Sequence, residues 1–479
     1  MARQKGTTEK PSTNGATPAE KEPERLPAYF LSLSVENVRC FGPKQTLDLS
    51  DGNGKPAPWT IILGLNGTGK TTLLQSLVAF EPIQVRSQSG EEERDNPRFF
   101  AFPHDVQHGL FRSHASRGTV WSATLAGSRT VMSPPQDVWT DNIQRAPGVV
   151  PASSPLSANV KVQVYSLVGS IQRSSASRPL WCCAYGAGRR VGSTSLGESE
   201  ADVPTATLFS DRAELRNPEE WLLQLDYAVA KSPKDKDAQH RLAQAKELLL
   251  AIMPEGEVTD IRFTTVSGPQ PRPRAKFLTP YGWVPLRQLG YGYQTLITWV
   301  ADLANRMAER YPDSPNPLAE PAVVLVDEID LHLHPKWQRK LMGFLTGRFP
   351  NTQFIATAHS PLVAQAAADA NLAVLRRAGD HVVIDNDVDN IRNWRVDQIL
   401  TSDLFGLETA RPPHVEAWLA ERDKLLDKSK LTAAEKRRLE ELNALVDELP
   451  FGETAQERKE REAIKNALDV LMKERKPAS

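Results

Sequence analysis

Apolar and polar positions alternate over residues 31–38, the period of a strand with one buried face. Residues 45–49 stand ready to pair with it across the turn at Phe41-Gly42-Pro43. Residues 59–64 form a continuous apolar run, the pattern of a strand buried on both faces. A glycine-rich loop follows, and residues 70–79 then take helical spacing. Residues 81–157 are polar and rich in Pro, Ser and Arg, which predicts an insertion with little regular structure. Alternation returns at 160–168, and 180–185 reads as another buried strand. Residues 218–253 predict a helical pair broken at Ser232-Pro233-Lys234-Asp235. Trp221, Leu222, Leu225 and Val229 stripe its first helix; Leu242, Ala245, Leu248, Leu249 and Ile252 stripe its second. A helix over 295–308 and short buried strands at 322–326 and 354–356 follow, the two strands separated by a helix opening at Pro335. Beyond about residue 411 the chain is helical and highly charged. There Thr432-Ala433-Ala434-Glu435 forms a capping box ahead of Leu439, Leu442, Leu445, Val446 and Leu449. No internal repeat is evident.

Composition narrows the class without naming a function. A hydrophobic share of 40% and a charged share of 24% over 479 residues suit a soluble globular protein of one large domain with accessories, or of two to three ordinary domains. No apolar run approaches the ~18 residues of a membrane span, so no membrane partner is expected. Residues 1–27 are rich in Lys, Glu, Thr and Pro and lack an apolar core, which predicts a disordered tail and not a signal peptide. Cys40, Cys182 and Cys183 have the spacing of neither a disulfide framework nor a zinc site, and a cytoplasmic location is expected. The net charge of −1 excludes a globally basic nucleic-acid binder. A local basic patch at Arg272, Arg274 and Lys276 leaves two readings open, a solvated loop or a DNA contact.

The chemistry concentrates in a few short runs. Gly64-Leu65-Asn66-Gly67-Thr68-Gly69-Lys70-Thr71, followed by Thr72, matches the phosphate-binding loop in full, with the apolar strand before it and the helix after it that the motif requires. Its glycines let backbone N–H groups turn inward around phosphates, and the helix N-terminus adds positive potential. In that pattern Lys70 reaches the β- and γ-phosphates and Thr71 ligates Mg²⁺, so ATP and Mg²⁺ are the expected cofactors. Far downstream, Val323-Val324-Leu325-Val326 delivers Asp327 and Glu328 at a strand end. Asp327 is placed to hold the Mg²⁺ shell and Glu328 to polarise the attacking water. Arg189 and Arg190, after Gly186-Ala187-Gly188, suit either a phosphate contact or a structural ion pair. His104-Asp105-Val106-Gln107-His108 lacks the general-base Glu of a zinc-protease helix. Asp385, Asp387 and Asp389 lack the Gly and Glu of a calcium loop, with Asn390 and Val396 at those positions.

The order of these runs resembles that of ABC-type ATPases. Ile329-Asp330-Leu331-His332-Leu333-His334-Pro335 resembles their D-loop, and Thr357-Ala358-His359-Ser360 their H-loop, which implies a γ-phosphate contact for His359. Leu289-Gly290-Tyr291-Gly292-Tyr293-Gln294 resembles the signature loop that binds the nucleotide of the opposite subunit, although Gly290 stands where the family has a serine. Backbone N–H groups of Gly290 and Gly292 remain available at that helix N-terminus. The opening run Val35-Glu36-Asn37-Val38-Arg39-Cys40-Phe41-Gly42 resembles the RecF, SMC and Rad50 branch, and implies Arg39 near the nucleotide. Gln84 and Gln163 are the candidates for the Q-loop residue.

The fold class implied is α/β: an ABC-type P-loop head over residues 28–410 with an antiparallel β subdomain, insertions at about 81–157 and 211–255, and a C-terminal helical arm over 411–479. The helical hairpin is much too short for the long coiled coil of an SMC protein. Compact heads carrying Asp327-Glu328-Ile329-Asp330-Leu331-His332-Leu333-His334-Pro335 look like the ATPase subunits of bacterial antiphage systems: Septu, including its retron-associated forms, then overcoming-lysogenisation-defect and PARIS types. The resemblance implies an ATPase that dimerises around nucleotide and controls a separate effector nuclease of HNH or toprim type. A RecF-like DNA-repair ATPase and a nucleotide-gated scaffold with little turnover are the alternatives.

Overall fold

The computed structural model describes residues 28–78, 82–83, 98–99, 120–127, 139–145, 180–192, 203–253, 256–266, 272–367, 369–388, 391, 394–402, 404–407, 409–447 and 449. Two compact units divide the chain, residues 1–399 and residues 400–479.

In the first unit, a six-stranded sheet carries the core. In chain order its strands are β3 (Trp59–Gly64), β6 (Cys182–Tyr185), β10 (Ala322–Val326), β11 (Thr352–Ala358), β12 (Asn371–Ala378) and β13 (His381–Asp385). They lie side by side as β13-β12-β3-β11-β10-β6, all parallel except β13, which is antiparallel to β12. β10 and β11 are buried at every position; β10 is accordingly an unbroken aliphatic run, whereas β11 also buries Thr352, Gln353 and Thr357, polar side chains that need partners there. The α-helix α1 (Lys70–Val78) leaves β3 directly through the glycine-rich loop.

A second, antiparallel sheet has the order β2-β1-β4-β5, with β1 at Ala28–Glu36, β2 at Gln45–Asp48, β4 at Val120–Gly127 and β5 at Trp139–Arg145. It is tied to the first sheet by Gln353 of β11, whose buried amide accepts from the Phe30 N–H and donates to the Phe30 carbonyl, both at 2.8 Å. Tyr29 adds an O–H bond to the Asn351 carbonyl at 2.8 Å. Because buried backbone groups without partners would be costly, these side-chain bonds help hold β1 against the core.

β4 and β5 correct the reading of residues 81–157 as an insertion with little regular structure. Among the described residues the region supplies a short antiparallel pair, Pro82–Ile83 with Arg98–Phe99, and two longer strands, Val120–Gly127 pairing β1 from Glu36↔Val120 to Ala28↔Gly127, and Trp139–Arg145 pairing β4 in turn. In β4, Trp121, Ala123 and Leu125 alternate with Ser122 and Thr124, but this short signal lies inside a stretch otherwise rich in Pro, Ser and Arg, and β5 is mostly polar. The alternating run at 160–168, the two Q-loop candidates, the His104–His108 run and the tail at 1–27 lie outside the described residues.

The helical pair forms as its stripe predicts: α2 (Pro218–Lys231) and α3 (Lys236–Ala251). Asn217 and Asp235 cap their N-termini by accepting from Glu219 N–H, and from Asp237 and Ala238 N–H, respectively. A three-stranded antiparallel sheet follows, β7 (Asp260–Val266), β8 (Arg272–Thr279) and β9 (Gly282–Pro285). The basic trio is therefore on a strand and not in a loop, and Arg274 is already paired with Glu219 at 3.2 Å. The long helix α4 (Tyr291–Arg310) packs its middle deep in the core through Trp299, Val300, Leu303 and Met307. The helix expected at Pro335 is a single turn, α5 (Pro335–Gln338), followed by α6 (Leu341–Arg348); α7 (Pro361–Ala366) follows β11.

The second unit contains α8 (Pro413–Leu426) and α9 (Ala433–Asp447). The capping box forms: Glu435 accepts from the Thr432 N–H at 2.8 Å, and Thr432 Oγ1 accepts from the Glu435 N–H at 3.3 Å. No helix among the described residues is long and apolar enough to cross a membrane.

Candidate functional site

Parallel strands aim their C-terminal ends at one edge of the sheet, and in open α/β sheets that edge collects the chemistry. β3, β11 and β10, which are neighbours in that order, end there in Gly64, Ala358 and Val326.

The loop after β3 is shaped by close approach. Gly69 has φ +90°, and a Cβ there would stand 2.5 Å from Cys40 Sγ, so only glycine fits between the loop and the turn at Cys40-Phe41. Lys70 is buried as the first residue of α1 and donates through Nζ to the carbonyls of Gly64 (2.8 Å) and Leu65 (3.0 Å). Its ammonium curls over the loop's own backbone. Burial holds the Lys70 pKa below the ordinary lysine range, while Asp327, Glu328 and Asp330 pull it back up. Leu65, Asn66 and Gly67 are exposed at the rim, and Thr68 Oγ1 donates to the Leu65 carbonyl at 2.7 Å.

Thr71 Oγ1 donates to Asp327 Oδ2 at 2.6 Å, joining positions 256 residues apart. The other oxygen of Asp327 accepts from Thr357 Oγ1, also at 2.6 Å. Thr357 in turn accepts the Glu328 N–H at 2.7 Å. One threonine on the strand between the loop strand and the acidic strand thus fixes both acids. Glu328 is in the left-handed region at φ +49°, a conformation that costs a non-glycine residue of order 1 kcal/mol and needs outside support.

Around this centre, His359 donates its N–H to Asp330 Oδ2 at 3.0 Å, and its side chain is half-buried. The segment from Asp330 to His334 is held by Gln338, whose Nε2 donates to the Asp330 and Leu333 carbonyls. Arg39, in a left-handed turn at φ +43°, donates to Thr72 Oγ1 (3.2 Å) and Gln75 Oε1 (3.4 Å) on α1. Burial lowers its pKa from the usual arginine value.

The turn at Gly290 stands apart from this group. Gly290 caps α4, and its carbonyl accepts from the N–H groups of Tyr293 and Gln294. Gly292 packs directly on the D-loop-like segment of its own chain: a Cβ there would lie 2.2 Å from the His332 carbonyl oxygen. The Tyr291 ring meets His332 edge-on at 4.8 Å.

Two side chains matter more here than their sequence context signals. Thr357 looks like one small residue in a buried strand. Arg189, for which a phosphate contact or an ion pair was expected, does neither: it is fully buried and donates to the carbonyls of Asp327 and Glu328, the latter at 2.8 Å, and to Gly186 at 3.2 Å. Burial pushes its pKa down to about 10, against the pull of Asp327, Asp330 and Glu328. Arg190 beside it is exposed.

The donor set fits a nucleotide triphosphate with a divalent cation: a glycine-walled loop leading into a helix N-terminus, a lysine held over it, and a hydroxyl already bonded to a carboxylate oxygen.

Residues 197–364 match the family described as "AAA domain, putative AbiEii toxin, Type IV TA system", and residues 32–80 match an "AAA domain" family. Together these spans hold the opening hairpin, the phosphate loop, the Gly290 turn, both acids and His359. The chain is 44% identical over 89 residues to the Retron Ec83 probable ATPase of Escherichia coli (19% of this chain, 16% of that protein). It is 34% identical over 184 residues to a Septu protein PtuA of Bacillus mycoides (37% and 25%) and 33% identical over 156 residues to one of Bacillus thuringiensis (31% and 39%). The chain thus matches only 16–39% of the length of these relatives. Among solved structures, the SMC head domain from Thermotoga maritima aligns with 76% of this chain and 99% of its own at 14% identity, with a TM-score of 0.33, a superposition too loose to carry a functional argument. The likeness of sequence to a retron probable ATPase and to Septu PtuA proteins bears out the resemblance read from the motifs.

Proposed function

We propose that this chain binds ATP with Mg²⁺ at the β3–α1 loop, hydrolyses it to ADP and phosphate, and serves as the ATPase subunit of an antiphage defence complex. The observation that carries the reading is the Thr71–Asp327 bond at 2.6 Å, which unites the phosphate loop with the acid-ended strand. Lys70, freed from the Gly64 and Leu65 carbonyls, places its charge on the β- and γ-phosphates, with the loop N–H groups and Arg39 beside it. Thr71 and Asp327 hold Mg²⁺, which supplies charge neutralisation on the phosphate oxygens. Glu328 polarises the attacking water, and His359 contacts the γ-phosphate from the end of β11. The low-dielectric floor formed by β10 and β11 strengthens each of these interactions.

In this reading the Gly290 turn completes the site of a second copy, so that ATP bridges two chains and its hydrolysis opens them. The exposure of Gly290 and Tyr291 at the N-terminus of α4 supports this division, because an anion from outside the chain can reach that end. Opening would release or activate a separate effector, in this reading a nuclease of HNH or toprim type in the cytoplasm; the likeness to retron and Septu proteins supports a separate effector partner.

Two experiments test the reading. Glu328→Gln is expected to bind ATP normally, slow hydrolysis by about 10²-fold and accumulate dimers; wild-type turnover in this variant would remove Glu328 from the chemistry. Mixing Lys70→Ala with Gly290→Asp chains is expected to restore one composite site and partial turnover that neither shows alone. Mixed dimers, seen by mass photometry, that stay inactive would refute the shared site. Gly290 is the position to use because a side chain there meets nothing closer than Tyr293 at 3.6 Å, whereas one at Gly292 strikes its own chain.

A further inference from the structure

The backbone at residue 328 is fixed by side chains at both of its polar groups. Its N–H is taken by Thr357 Oγ1 and its carbonyl by Arg189, which also holds the carbonyl of Asp327. Two consecutive carbonyls can converge on one guanidinium nitrogen because the left-handed φ of +49° at Glu328 turns the chain sharply there. Arg189 is itself left-handed, at φ +32°, in the turn that follows β6. Among the described residues its side-chain hydrogen bonds go to carbonyl oxygens, at Gly186, Asp327 and Glu328. Burying a cation on neutral acceptors costs several kcal/mol, and an apolar side chain would fill the same space without that cost. What the arginine adds is directional: donors aimed at the turn that orients the Glu328 carboxylate. Its guanidinium also lies 5.9 Å from the ring centre of Trp299, buried in the helix that starts at Gly290.

We propose that Arg189 is the positioning residue for Glu328, holding the acidic turn in its left-handed conformation and linking it to the core of α4. The proposal rests on the ATPase reading for its effect on turnover, but its structural half is independent of it.

Arg189→Met keeps the volume and removes every donor; Arg189→Lys keeps the charge and reduces the donors. On the full chain, amide exchange over residues 327–332 of Arg189→Met is expected to accelerate about tenfold or more, with β3 and α1 unchanged. ATP affinity is expected to stay within about threefold while kcat falls about 10²-fold, the signature of a lost transition-state interaction. In a Glu328→Gln background the same substitution is expected to lower the residual rate by less than about twofold, because both changes remove one function. Arg189→Lys is expected to fall between wild type and Arg189→Met in exchange and in kcat, and it carries the test if the methionine variant does not fold. Unchanged exchange at 327–332, exchange rising equally throughout the unit, or affinity and kcat falling together would each overturn the proposal. Additive losses in the Glu328→Gln background would do so too. A wild-type chain without turnover would refute the ATPase reading alone, since the exchange comparison still decides whether Arg189 holds the turn.

Discussion

Replacing Thr357 with valine isolates one hydroxyl at the centre of the acidic pair. The substitution keeps the β-branched shape that a fully buried strand position requires and removes only the oxygen. That oxygen donates to Asp327 Oδ1 at 2.6 Å and accepts from the Glu328 N–H at 2.7 Å. A hydrogen bond to a charged group contributes about 1.5–3 kcal/mol, and a polar group left buried without its partner costs about 1–3 kcal/mol. Asp327 is only 5% exposed and so feels most of that loss, whereas Glu328 is partly open and water can replace some of its bond. The two losses share one hydroxyl and are not fully additive, which sets the expected destabilisation at about 2–4 kcal/mol. In urea, with a slope of about 3 kcal/mol/M, the midpoint falls by about 1 M. Thr357→Ser keeps the oxygen and loses a methyl group, and is expected to cost about 1 kcal/mol. The assay is urea unfolding of nucleotide-free protein in the presence of a chelator, read at a tryptophan of the first unit. A valine variant as stable as wild type, or a serine variant as damaged as the valine one, would refute the role given to the hydroxyl.

Lys70→Ala is expected to weaken ATP binding by about 100-fold or more, because the loop loses its charge on the β- and γ-phosphates; equal affinities by calorimetry would sink the phosphate-loop assignment. Gly292→Ala is expected to displace the D-loop-like segment, since its Cβ would lie 2.2 Å from the His332 carbonyl oxygen, and to lower the melting temperature by several degrees. Gly290→Ser has room and gives α4 the N-cap side chain it lacks, so it is expected to stabilise the chain by a few tenths of a kcal/mol. Melting curves of the two variants that matched would show that the close approach at Gly292 has been overstated.

What the sequence discloses and what it conceals follow from where the constraint comes from. The phosphate loop is legible because every demand on it is local: glycines for the turn, an apolar strand before it, a helix after it. Asp327 and Glu328 are legible because a buried strand must be an aliphatic run and must end where the sheet ends. Gly292 is half legible. Its place at a helix N-terminus suggests a backbone donor, but the contact that forbids any side chain there comes from His332, forty residues on. Thr357 and Arg189 both stand in runs that attract notice, but nothing local signals the roles they take. A threonine in a buried strand and an arginine after a glycine turn acquire their roles only when β11 is laid between β3 and β10 and β6 is added at the edge. The strands at Val120–Gly127 and Trp139–Arg145 are concealed for a related reason: the first gains its place by pairing with β1, far away in the chain, and the second, mostly polar, is a strand only because it pairs with the first. The residues that carry phosphate chemistry are thus specified by short-range pattern, and those that hold the acidic turn by sheet order. A substitution that spares the phosphate-loop pattern and both acids is therefore still expected to weaken this site when it removes the oxygen of Thr357 or the guanidinium of Arg189.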